Sequence, residues 1–316
     1  MTLGSLADPG GENPRWIWRN GELVPWERAT VHVNAVGHAS VAAVFEGLKA
    51  YLAEDGRRLL VFRLDDHMRR LADSARLCRL ALPYTPGELG LAVLELLRAN
   101  QYRADTYLRP WIFAAGIIRE QMVPADAPCE TVIDSWAFRS RPPSGEGCRA
   151  AVSSWRRIGE ASTPPRAKAF ANYHNGRLAM IEARANGHDW PILLNERHKV
   201  SEGPGSCVAL VRDGTVITPS LTSGVLDGLT RATVLDLLSE LGVPTEVREV
   251  DRSELYLADE LFFMGTAWEI LPIAEIDGLP VGSTPGPVTK RLTEAYAALV
   301  RGTAAAHPEW LTELPL

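Results

Sequence analysis

Short apolar runs interrupted by Asn-Gly or Asp-Gly dipeptides restrict the fold of this chain more than any other feature of its sequence. In WIWRNGELVPW, at residues 16–26, two apolar runs flank Asn20-Gly21. Asp55-Gly56 and Asp213-Gly214 also stand between apolar runs. Such dipeptides readily adopt the left-handed conformations that tight hairpin turns require. The sequence therefore predicts strand pairs in both halves of the chain.

Helical periodicity occupies much of the sequence between these runs. After a predicted strand at residues 59–62, apolar residues recur at helical spacing from Met68 to Cys78, which is the pattern of an amphipathic helix. Because strands and helices are mixed throughout the chain, the sequence predicts an α+β fold. Further helices are predicted at residues 87–100, 229–241 and 286–302, and further strands at 261–264 and 270–273.

The length and the linker-like segments suggest two domains. The chain has 316 residues, of which 46% are hydrophobic, and this is enough for one large or two medium cores. RSRPPSGEG is the most linker-like run, and we place the linker at residues 141–147. A first domain at 16–140 and a second at 148–316 then remain, preceded by a polar, flexible tail at residues 1–15.

Composition excludes several classes of function. The formal net charge is -6, and no dominant stripe of Lys and Arg predicts a nucleic-acid surface. There is no apolar run of about 18 residues to span a membrane and no secretion signal, so we expect a cytoplasmic protein. The four cysteines lie far apart without metal-binding spacing, so we expect reduced thiols and no metal site.

Lys168 is the candidate nucleophile. It follows Pro164-Pro165 and precedes an apolar helical pattern that ends at Gly187. A lysine is most often a solvated surface charge. Lys168 becomes a credible Schiff-base lysine only if the chain also supplies a phosphate cradle, an acid for a pyridinium nitrogen and a dry pocket. The predicted helix places four residues on one face: Tyr173, Leu178, Ile181 and Ala185.

Three charged residues could supply parts of such a site, and each has an ordinary alternative. Arg63, at the end of a predicted strand, is either an exposed ion pair or a bidentate phosphate clamp. Arg109 lies inside the apolar run TYLRPWIF, so it is either a structural ion pair or a carboxylate receptor. Glu202 precedes a Gly-Pro-Gly turn, where it is either a solvated loop acid or an acid facing a heterocyclic nitrogen.

Two backbone features could bind an anion. The helix entered through Asp227-Gly228 presents unpaired N–H groups to an anion, or is an ordinary capped helix. At the end of a predicted strand, Gly265, Thr266 and Ala267 are small enough for backbone to approach a ligand closely, and Thr266 adds a hydroxyl.

In this order, these segments resemble the fold-type IV pyridoxal-phosphate enzymes, and within them the branched-chain amino acid aminotransferases. The resemblance extends over residues 16–302 and implies an α/β (α+β) fold. It implies a smaller N-terminal α+β domain and a larger C-terminal domain with a mixed, barrel-like sheet and helices. The strings that carry it are FEGLKAY (45–51), VFRLDDHMRRL (61–71), YLRP (107–110), KAFANY (168–173), VSEGPG (200–205), LDGLTR (226–231), LADE (257–260), GTAWEI (265–270) and GPVTKRL (286–292).

The resemblance implies a role for each candidate residue. Lys168 would bind the cofactor covalently and move a proton between the substrate Cα and C4′ of pyridoxal 5'-phosphate. Glu202 would keep the pyridine nitrogen protonated, and Tyr173 would donate a hydrogen bond to the phenolic oxygen. The phosphate would be held by Arg63, the backbone of Leu229 and Thr230, Gly265 and Thr266. The residues that contact the substrate would be Ser40, Phe45, Tyr107, Arg109, Ala267 and Trp268.

The departures from the family pattern fall on the substrate side. Ser40 and Val41 stand where the family usually has Tyr-Gly, and Trp268 replaces a small residue. Ser206 and Cys207 stand where Glu and Asn are common. The resemblance therefore implies a homodimeric aminotransferase with ping-pong chemistry and a rewritten substrate pocket, as in a specialised biosynthetic pathway. Its substrates would be an amino acid donor and a 2-oxo acid.

Two other functions remain open from the sequence. One is a lyase of the same fold and cofactor, similar to aminodeoxychorismate lyase, because the same carbanion can eliminate instead of being transaminated. The other is a catalytically silent dimeric scaffold. Because Lys168, Glu202, Tyr173 and Arg63 are present together, the sequence favours an enzyme over a scaffold.

Overall fold

The described part of the chain is a mixture of strands and helices. The chain is represented by a computed structural model that describes residues 13–119, 122–138, 140 and 147–316. Residues 1–12 of the predicted tail and 141–146 of the predicted linker lie outside the described residues. Within the described ranges, no helix is long and apolar enough to cross a membrane.

The strands, in chain order, are β1 (Trp16–Arg19), β2 (Glu22–Pro25), β3 (Ala43–Phe45), β4 (Leu48–Leu52), β5 (Arg58–Phe62), β6 (Thr106–Ala114), β7 (Cys129–Ala137), β8 (Cys148–Arg156), β9 (Trp190–Leu194), β10 (Cys207–Arg212), β11 (Thr215–Pro219), β12 (Thr245–Arg248), β13 (Glu260–Gly265), β14 (Glu269–Ile276), β15 (Leu279–Pro280) and β16 (Leu311–Pro315). The helices are α1 (Val36–Val41), α2 (Leu64–Leu77), α3 (Pro86–Asn100), α4 (Phe170–Ala185), α5 (Leu229–Glu240), α6 (Arg252–Tyr256) and α7 (Pro287–Val300). These bounds confirm the strands and helices that the sequence predicted.

The chain forms two compact units whose boundaries differ from the expected division. Unit 1 contains the described residues before 139 together with Ala167–Ala171 and Leu299–Leu316, and unit 2 contains Ser140–Arg166 and Asn172–Ala298. The C-terminal segment belongs to unit 1 because β16 pairs antiparallel with β5. Residues next to Lys168 join unit 1 through a bridge between Val44 and Ala169. Both units therefore contain segments from more than one part of the chain.

Unit 1 is built on one antiparallel sheet in the order β16-β5-β4-β6-β7-β1-β2, with β3 beside β6. The Asn20-Gly21 hairpin is confirmed, since Arg19 and Glu22 pair across it. Helices α2 and α3 pack on one face of the sheet, where residues such as Met68 and Leu108 are fully buried. Because side chains alternate along a strand, neighbouring residues of β6 such as Arg109 lie on the opposite face.

Unit 2 is built on a mixed sheet in the order β12-β11-β10-β13-β14-β8-β9, with β15 beside β14. β8 runs parallel to both β9 and β14, and β11 runs parallel to β12. The hairpin at Asp213-Gly214 is confirmed by the pairing of Arg212 with Thr215. Buried side chains of β10, β13 and β14, including Val208, Phe263 and Ile273, form its core.

The buried face predicted for α4 was wrong. Ile181 is 51% exposed and Ala185 is also exposed, and the buried residues are Asn172, Gly176, Ala179 and Ala183. Small side chains determine which face of α4 is buried, because they allow the helix backbone to lie close to Pro204. A Cβ added to Gly176 would lie 2.9 Å from Cβ of Pro204. The helix therefore buries mainly its small residues, and Ile181 faces outward.

Candidate active site

Unit 1 holds the backbone of Lys168 from two sides. The amide of Phe45 donates a hydrogen bond to the carbonyl of Lys168 at 2.9 Å, which attaches the lysine to β3. The amide of Lys168 donates to Oγ of Ser74, in α2, at 3.1 Å. Its Nζ lies over the ring of Phe45, 4.8 Å from the centroid. Lys168 is thus a positioned, half-buried lysine and not a freely moving surface charge.

A buried ionic cluster lies beside this lysine. The carboxylate of Glu46 is fully buried and accepts hydrogen bonds from Nε and Nη2 of Arg70 at 2.7 and 2.8 Å. It also accepts one from Nδ1 of His67 at 2.8 Å, and that nitrogen carries the hydrogen because a carboxylate can only accept. His67, Arg70 and Ser74 share one face of α2 since they are three and four residues apart.

The charges in the cluster shift the pKa values of its members. Burial alone would raise the pKa of Glu46, but the Arg70 guanidinium, supported by His67, outweighs burial and holds that pKa well below its ordinary value. Burial lowers the pKa of His67, the carboxylate of Glu46 opposes this effect, and the positive charges of Arg70 and Lys168 add to the lowering. His67 is therefore close enough for the charges of Arg70 and Lys168 to affect its pKa.

Arg63, predicted to bind a phosphate, lies at the start of α2. It precedes α2 in a left-handed conformation, with φ of 51°. Its Nε bonds Oδ2 of Asp66 at 2.6 Å, and its guanidinium lies over the ring of Trp310, 4.6 Å from the centroid. Arg63 thus faces the C-terminal segment, whereas Arg70 faces the cluster beside Lys168.

The face of the unit 1 sheet opposite α2 and α3 is aromatic. We call it the aromatic face and define it by Phe45, Tyr107, Trp111, Trp136, Phe138 and Phe170. Tyr107 stacks on Trp136 with ring centroids 4.9 Å apart. A Cβ on Gly47 would overlap the Tyr107 hydroxyl, so this glycine of the FEGLKAY segment makes room for the tyrosine.

Arg109 lies within the aromatic face and is an ion pair. Its Nη2 donates to Oδ2 of Asp134 at 2.6 Å, and its Nε donates to Oδ1 at 3.3 Å. The two residues are directly opposite in the β6–β7 ladder. Ser40, also predicted to meet the substrate, is exposed in α1 and its hydroxyl donates to the carbonyl of Gly37 at 2.9 Å.

In unit 2, Glu202 is a buried and paired acid, so the solvated-loop alternative is wrong. Its Oε1 lies 2.7 Å from Nη2 of Arg157, and both side chains are more than nine-tenths buried. Oε2 accepts from the amide of Leu226 at 3.1 Å and from Sγ of Cys207 at 3.9 Å. Arg157 also donates through Nε to the carbonyl of Gly224 at 3.1 Å. Because Arg157 balances its charge, Glu202 can remain ionised in a buried position.

Helix α5 begins beside this acid. Its N-cap is Gly228, and within the described chain no side chain caps the first turn. A Cβ on Gly228 would lie 3.0 Å from Sγ of Cys207, the residue that contacts Glu202. Thr230, in the first turn, is 5% exposed. The amides of Leu229 and Thr230 therefore form an N-terminal end suited to an anion.

The remaining predicted residues of unit 2 are divided between the Glu202 turn and the core. A Cβ on Gly265 would lie 3.1 Å from the carbonyl oxygen of Gly205, and a Cβ on Gly205 would lie 3.8 Å from Cε1 of Tyr173. Gly265, its neighbour Thr266 and Tyr173 thus border the Glu202 turn. Trp268, in contrast, is only 9% exposed and its ring lies 5.0 Å from that of Trp190, so it packs in the core. Ala267 packs against the same core.

Comparison with known proteins shows where this chain belongs. Residues 43–276 match the family described as Amino-transferase class IV. The chain belongs to the class IV aminotransferases. A probable branched-chain-amino-acid aminotransferase of Aquifex aeolicus is 38% identical over 295 residues, which are 92% of this chain and 94% of that protein.

Solved class IV aminotransferases share the fold over nearly the whole chain. The branched-chain amino acid aminotransferase of Thermobaculum terrenum, solved in its PLP form, is 44% identical with a TM-score of 0.93, covering 96% of this chain and 100% of its own. The T.th. branched-chain amino acid aminotransferase, solved with N-(5'-phosphopyridoxyl)-L-glutamate, is 35% identical with a TM-score of 0.87, covering 95% and 98%.

Sequence reasoning missed several charged residues that contact the predicted site residues or their neighbours. Arg70 had a usable signal, because His67 and Arg70 recur at helical spacing on a face that also carries buried apolar residues. Arg157 and Asp134 had none. Their partners are distant in sequence, Glu202 for Arg157 and Arg109 for Asp134, and only the folded sheets bring them together.

Proposed function

We propose that this chain is a pyridoxal 5'-phosphate-dependent aminotransferase that moves an amino group between an amino acid and a 2-oxo acid by ping-pong chemistry. The observation that carries the proposal is the buried Glu202–Arg157 pair beside the uncapped N-terminus of α5. A protonated pyridine nitrogen requires a buried anion, and a phosphate requires a cluster of N–H donors. Family membership and the PLP form of the Thermobaculum terrenum relative support the same cofactor.

The donor groups fit this cofactor. Taken separately, unit 1 has Lys168 as an amine for the aldehyde, and unit 2 has Glu202 as an acid for the ring nitrogen and Tyr173 as a donor for the phenolic oxygen. The amides of Leu229 and Thr230 suit the phosphate. When bound, pyridoxal phosphate supplies an electron sink for negative charge that develops on the substrate Cα.

The chain's own residues would then bind, orient and move protons. Nζ of Lys168 would take the proton from the substrate Cα and return it to the cofactor side. Its backbone bonds to Phe45 and Ser74 fix the direction from which the amine acts. Glu202 would keep its charge through Arg157.

Arg63 and Arg70 are both candidates for the phosphate ligand of unit 1, and each already pairs with a carboxylate: Arg63 donates through Nε to Asp66, and Arg70 donates through Nε and Nη2 to Glu46. Arg63 is engaged with Asp66 and Trp310. Arg70 lies on the helix face that also contacts Lys168 through Ser74. A comparison of Arg63→Lys with Arg70→Lys shows which arginine binds the phosphate. Lysine lacks the bidentate donors of arginine, so the substitution should weaken cofactor binding only at the residue that binds the phosphate. The readout is a fluorescence titration with pyridoxal phosphate.

The alternative lyase function is less well supported. The relatives that match nearly the whole chain are named aminotransferases. A lyase releases an oxo acid without a second substrate, whereas an aminotransferase needs an acceptor to recover its starting form. A silent scaffold would not bind the cofactor at all. We also infer that the substrate pocket differs from that of typical branched-chain enzymes at Ser40, as the sequence suggested.

We further infer that the chain is a cytoplasmic homodimer. Apolar side chains between residues 31 and 41 are exposed on the single chain: Val31, Val33, Val36 and Val41. Exposed apolar clusters of this kind mark contact surfaces. Sedimentation of the purified protein should give twice the mass of one chain, and Val33→Asp combined with Val41→Asp should shift the population towards the monomer.

The deciding experiment follows the cofactor spectrum. Purified protein with added pyridoxal phosphate should have a visible absorption band, and an amino donor should convert it to the spectrum of the amine form. A 2-oxo acid should then restore the band. In the Lys168→Ala variant, an amino donor should no longer convert the visible band to the spectrum of the amine form. Absence of the band from the folded protein, or turnover without an acceptor, contradicts the proposal.

A further inference from the structure

We propose that Asp134 determines substrate specificity: by holding the guanidinium of Arg109, it excludes dicarboxylic substrates and restricts the side-chain subsite to uncharged, apolar amino acids and their 2-oxo acids. This inference rests on the proposed aminotransferase function. It concerns the aromatic face of unit 1, where Arg109 and Asp134 form one ion pair between tryptophan rings.

Contacts within unit 1 connect this ion pair to the reactive lysine. Nζ of Lys168 lies 4.8 Å from the ring centroid of Phe45, and that ring lies 4.3 Å from the ring of Phe170. Phe170 is 5.7 Å from Trp111, measured between ring centroids. The guanidinium carbon of Arg109 is 5.7 Å from the Trp111 ring. These contacts form a continuous series of aromatic rings from Lys168 to Arg109, and we place the substrate side chain along them.

The guanidinium at the end of this path already has a carboxylate. Arg109 gives two N–H groups to Asp134, at 2.6 and 3.3 Å, in the parallel arrangement typical of bidentate pairs. The aspartate cannot move away easily, because it sits directly across the ladder from Arg109 and its side chain is 18% exposed. A substrate carboxylate would have to share the remaining donors and lie next to a negative charge.

The energetic balance favours uncharged side chains. A negatively charged substrate side chain close to Asp134 is disfavoured, because like charges repel. The Arg109–Asp134 pair also has no net charge that would attract an anion. Aromatic rings on both sides offer apolar contact area instead. Burial raises the pKa of Asp134 and Arg109 opposes that effect, which agrees with an aspartate that depends on this arginine for its charge. The T.th. relative was solved with a glutamate adduct, so this chain is expected to differ from it.

The test compares two amino donors in the PLP-loaded enzyme. Conversion of the visible band is measured with L-leucine and with L-glutamate, and the ratio of the two kcat/KM values is the readout. The wild type should favour leucine by at least about tenfold. Asp134→Asn frees the guanidinium and should shift the ratio towards glutamate by about tenfold or more, the effect of one charge-assisted hydrogen bond. Most of the change should lie in the KM for glutamate.

Three controls keep the test decisive. Arg109→Met added to Asp134→Asn should cancel the gain, and Asp134→Ala should reproduce it if the asparagine variant folds poorly. Glu130→Gln removes the carboxylate of another arginine pair in the same strand, with Arg19, and should leave the ratio unchanged. Binding of glutarate, measured by tryptophan fluorescence, should tighten in Asp134→Asn without any turnover.

The outcomes separate this inference from the function on which it rests. If leucine converts the band but the ratio is unchanged in Asp134→Asn, the specificity role is wrong and the aminotransferase stands. An equal gain for both donors also overturns it, because Arg109 would then meet the carboxylate that all amino acids share. If no donor changes the spectrum of the folded wild type, the proposed function itself fails.

Discussion

Replacing Glu46 by glutamine tests whether the buried cluster beside Lys168 is as important for stability as its geometry indicates. The carboxylate is fully buried and accepts hydrogen bonds from two nitrogens of Arg70 and one of His67. Glutamine keeps the volume but removes the charge, and its amide nitrogen would face an N–H donor. Removing one partner of a buried pair costs about 3–5 kcal/mol because the other charge stays buried.

That cost is a large fraction of the stability of a typical domain, roughly 5–15 kcal/mol. The assay is equilibrium unfolding in urea at pH 7, followed by tryptophan fluorescence. Glu313→Gln is the matched control, because Glu313 also pairs with an arginine, Arg58, but on the surface. Glu46→Gln should unfold at a clearly lower urea concentration than either the wild type or Glu313→Gln. Equal midpoints for the two variants would refute the reasoning.

The pH dependence gives a second readout of the same variant. The pKa of Glu46 is lower in the folded chain than its ordinary value, so the unfolded chain binds the proton first as the pH falls. The stabilisation is complete above the unfolded pKa and is lost below it, by up to about 1.4 kcal/mol per pH unit. Glu46→Gln lacks this contribution. The stability gap between wild type and variant should therefore narrow from pH 5 to pH 3, and a constant gap contradicts the assignment.

Three further substitutions test packing around the site. Gly176→Ala brings Cβ within 2.9 Å of Pro204 and should displace the turn that carries Glu202, which weakens pyridoxal phosphate binding in a fluorescence titration. Gly47→Ala overlaps the Tyr107 hydroxyl and should cost about 1–3 kcal/mol by overpacking, measured by urea unfolding. Thr85→Ala removes the N-cap of α3, whose hydroxyl accepts from the amide of Glu88, and should cost about 1 kcal/mol in thermal unfolding without affecting cofactor binding.

Local signals predicted the elements of the fold well. The hairpins at Asn20-Gly21 and Asp213-Gly214 follow from turn chemistry, which acts over a few residues. The helices follow from periodicity and caps for the same reason. The return of β16 to pair with β5 was not predicted, because it joins segments about 250 residues apart and leaves no local pattern.

The orientation of α4 and the surroundings of Trp268 and Glu202 show what could not be predicted from the sequence. Hydrophobicity alone selected Ile181 for the buried face, yet close approach at Gly176 decided the packing. For Trp268, the resemblance implied a contact with the substrate, and only the structure shows that its ring packs against Trp190. For Glu202, the sequence and the resemblance predicted an acid that faces a heterocyclic nitrogen, but its burial and its pairing with Arg157 became visible only in the structure.

The buried Glu202–Arg157 pair in unit 2 can be tested for a role in cofactor binding separately from its role in folding stability. Replacing both members of a buried pair by neutral groups is often nearly neutral for folding, whereas removing one is costly. Arg157→Met alone should therefore lose about 3–5 kcal/mol in urea unfolding, since it leaves Glu202 charged and buried. Adding Glu202→Gln should restore much of that loss, because the glutamine oxygen can still accept from the amide of Leu226. Cofactor binding should remain weak in the double variant, since an amide does not supply the charge that a protonated pyridine nitrogen needs. If the double variant recovers tight binding together with stability, the pair is structural and Glu202 is not the acid that the cofactor requires.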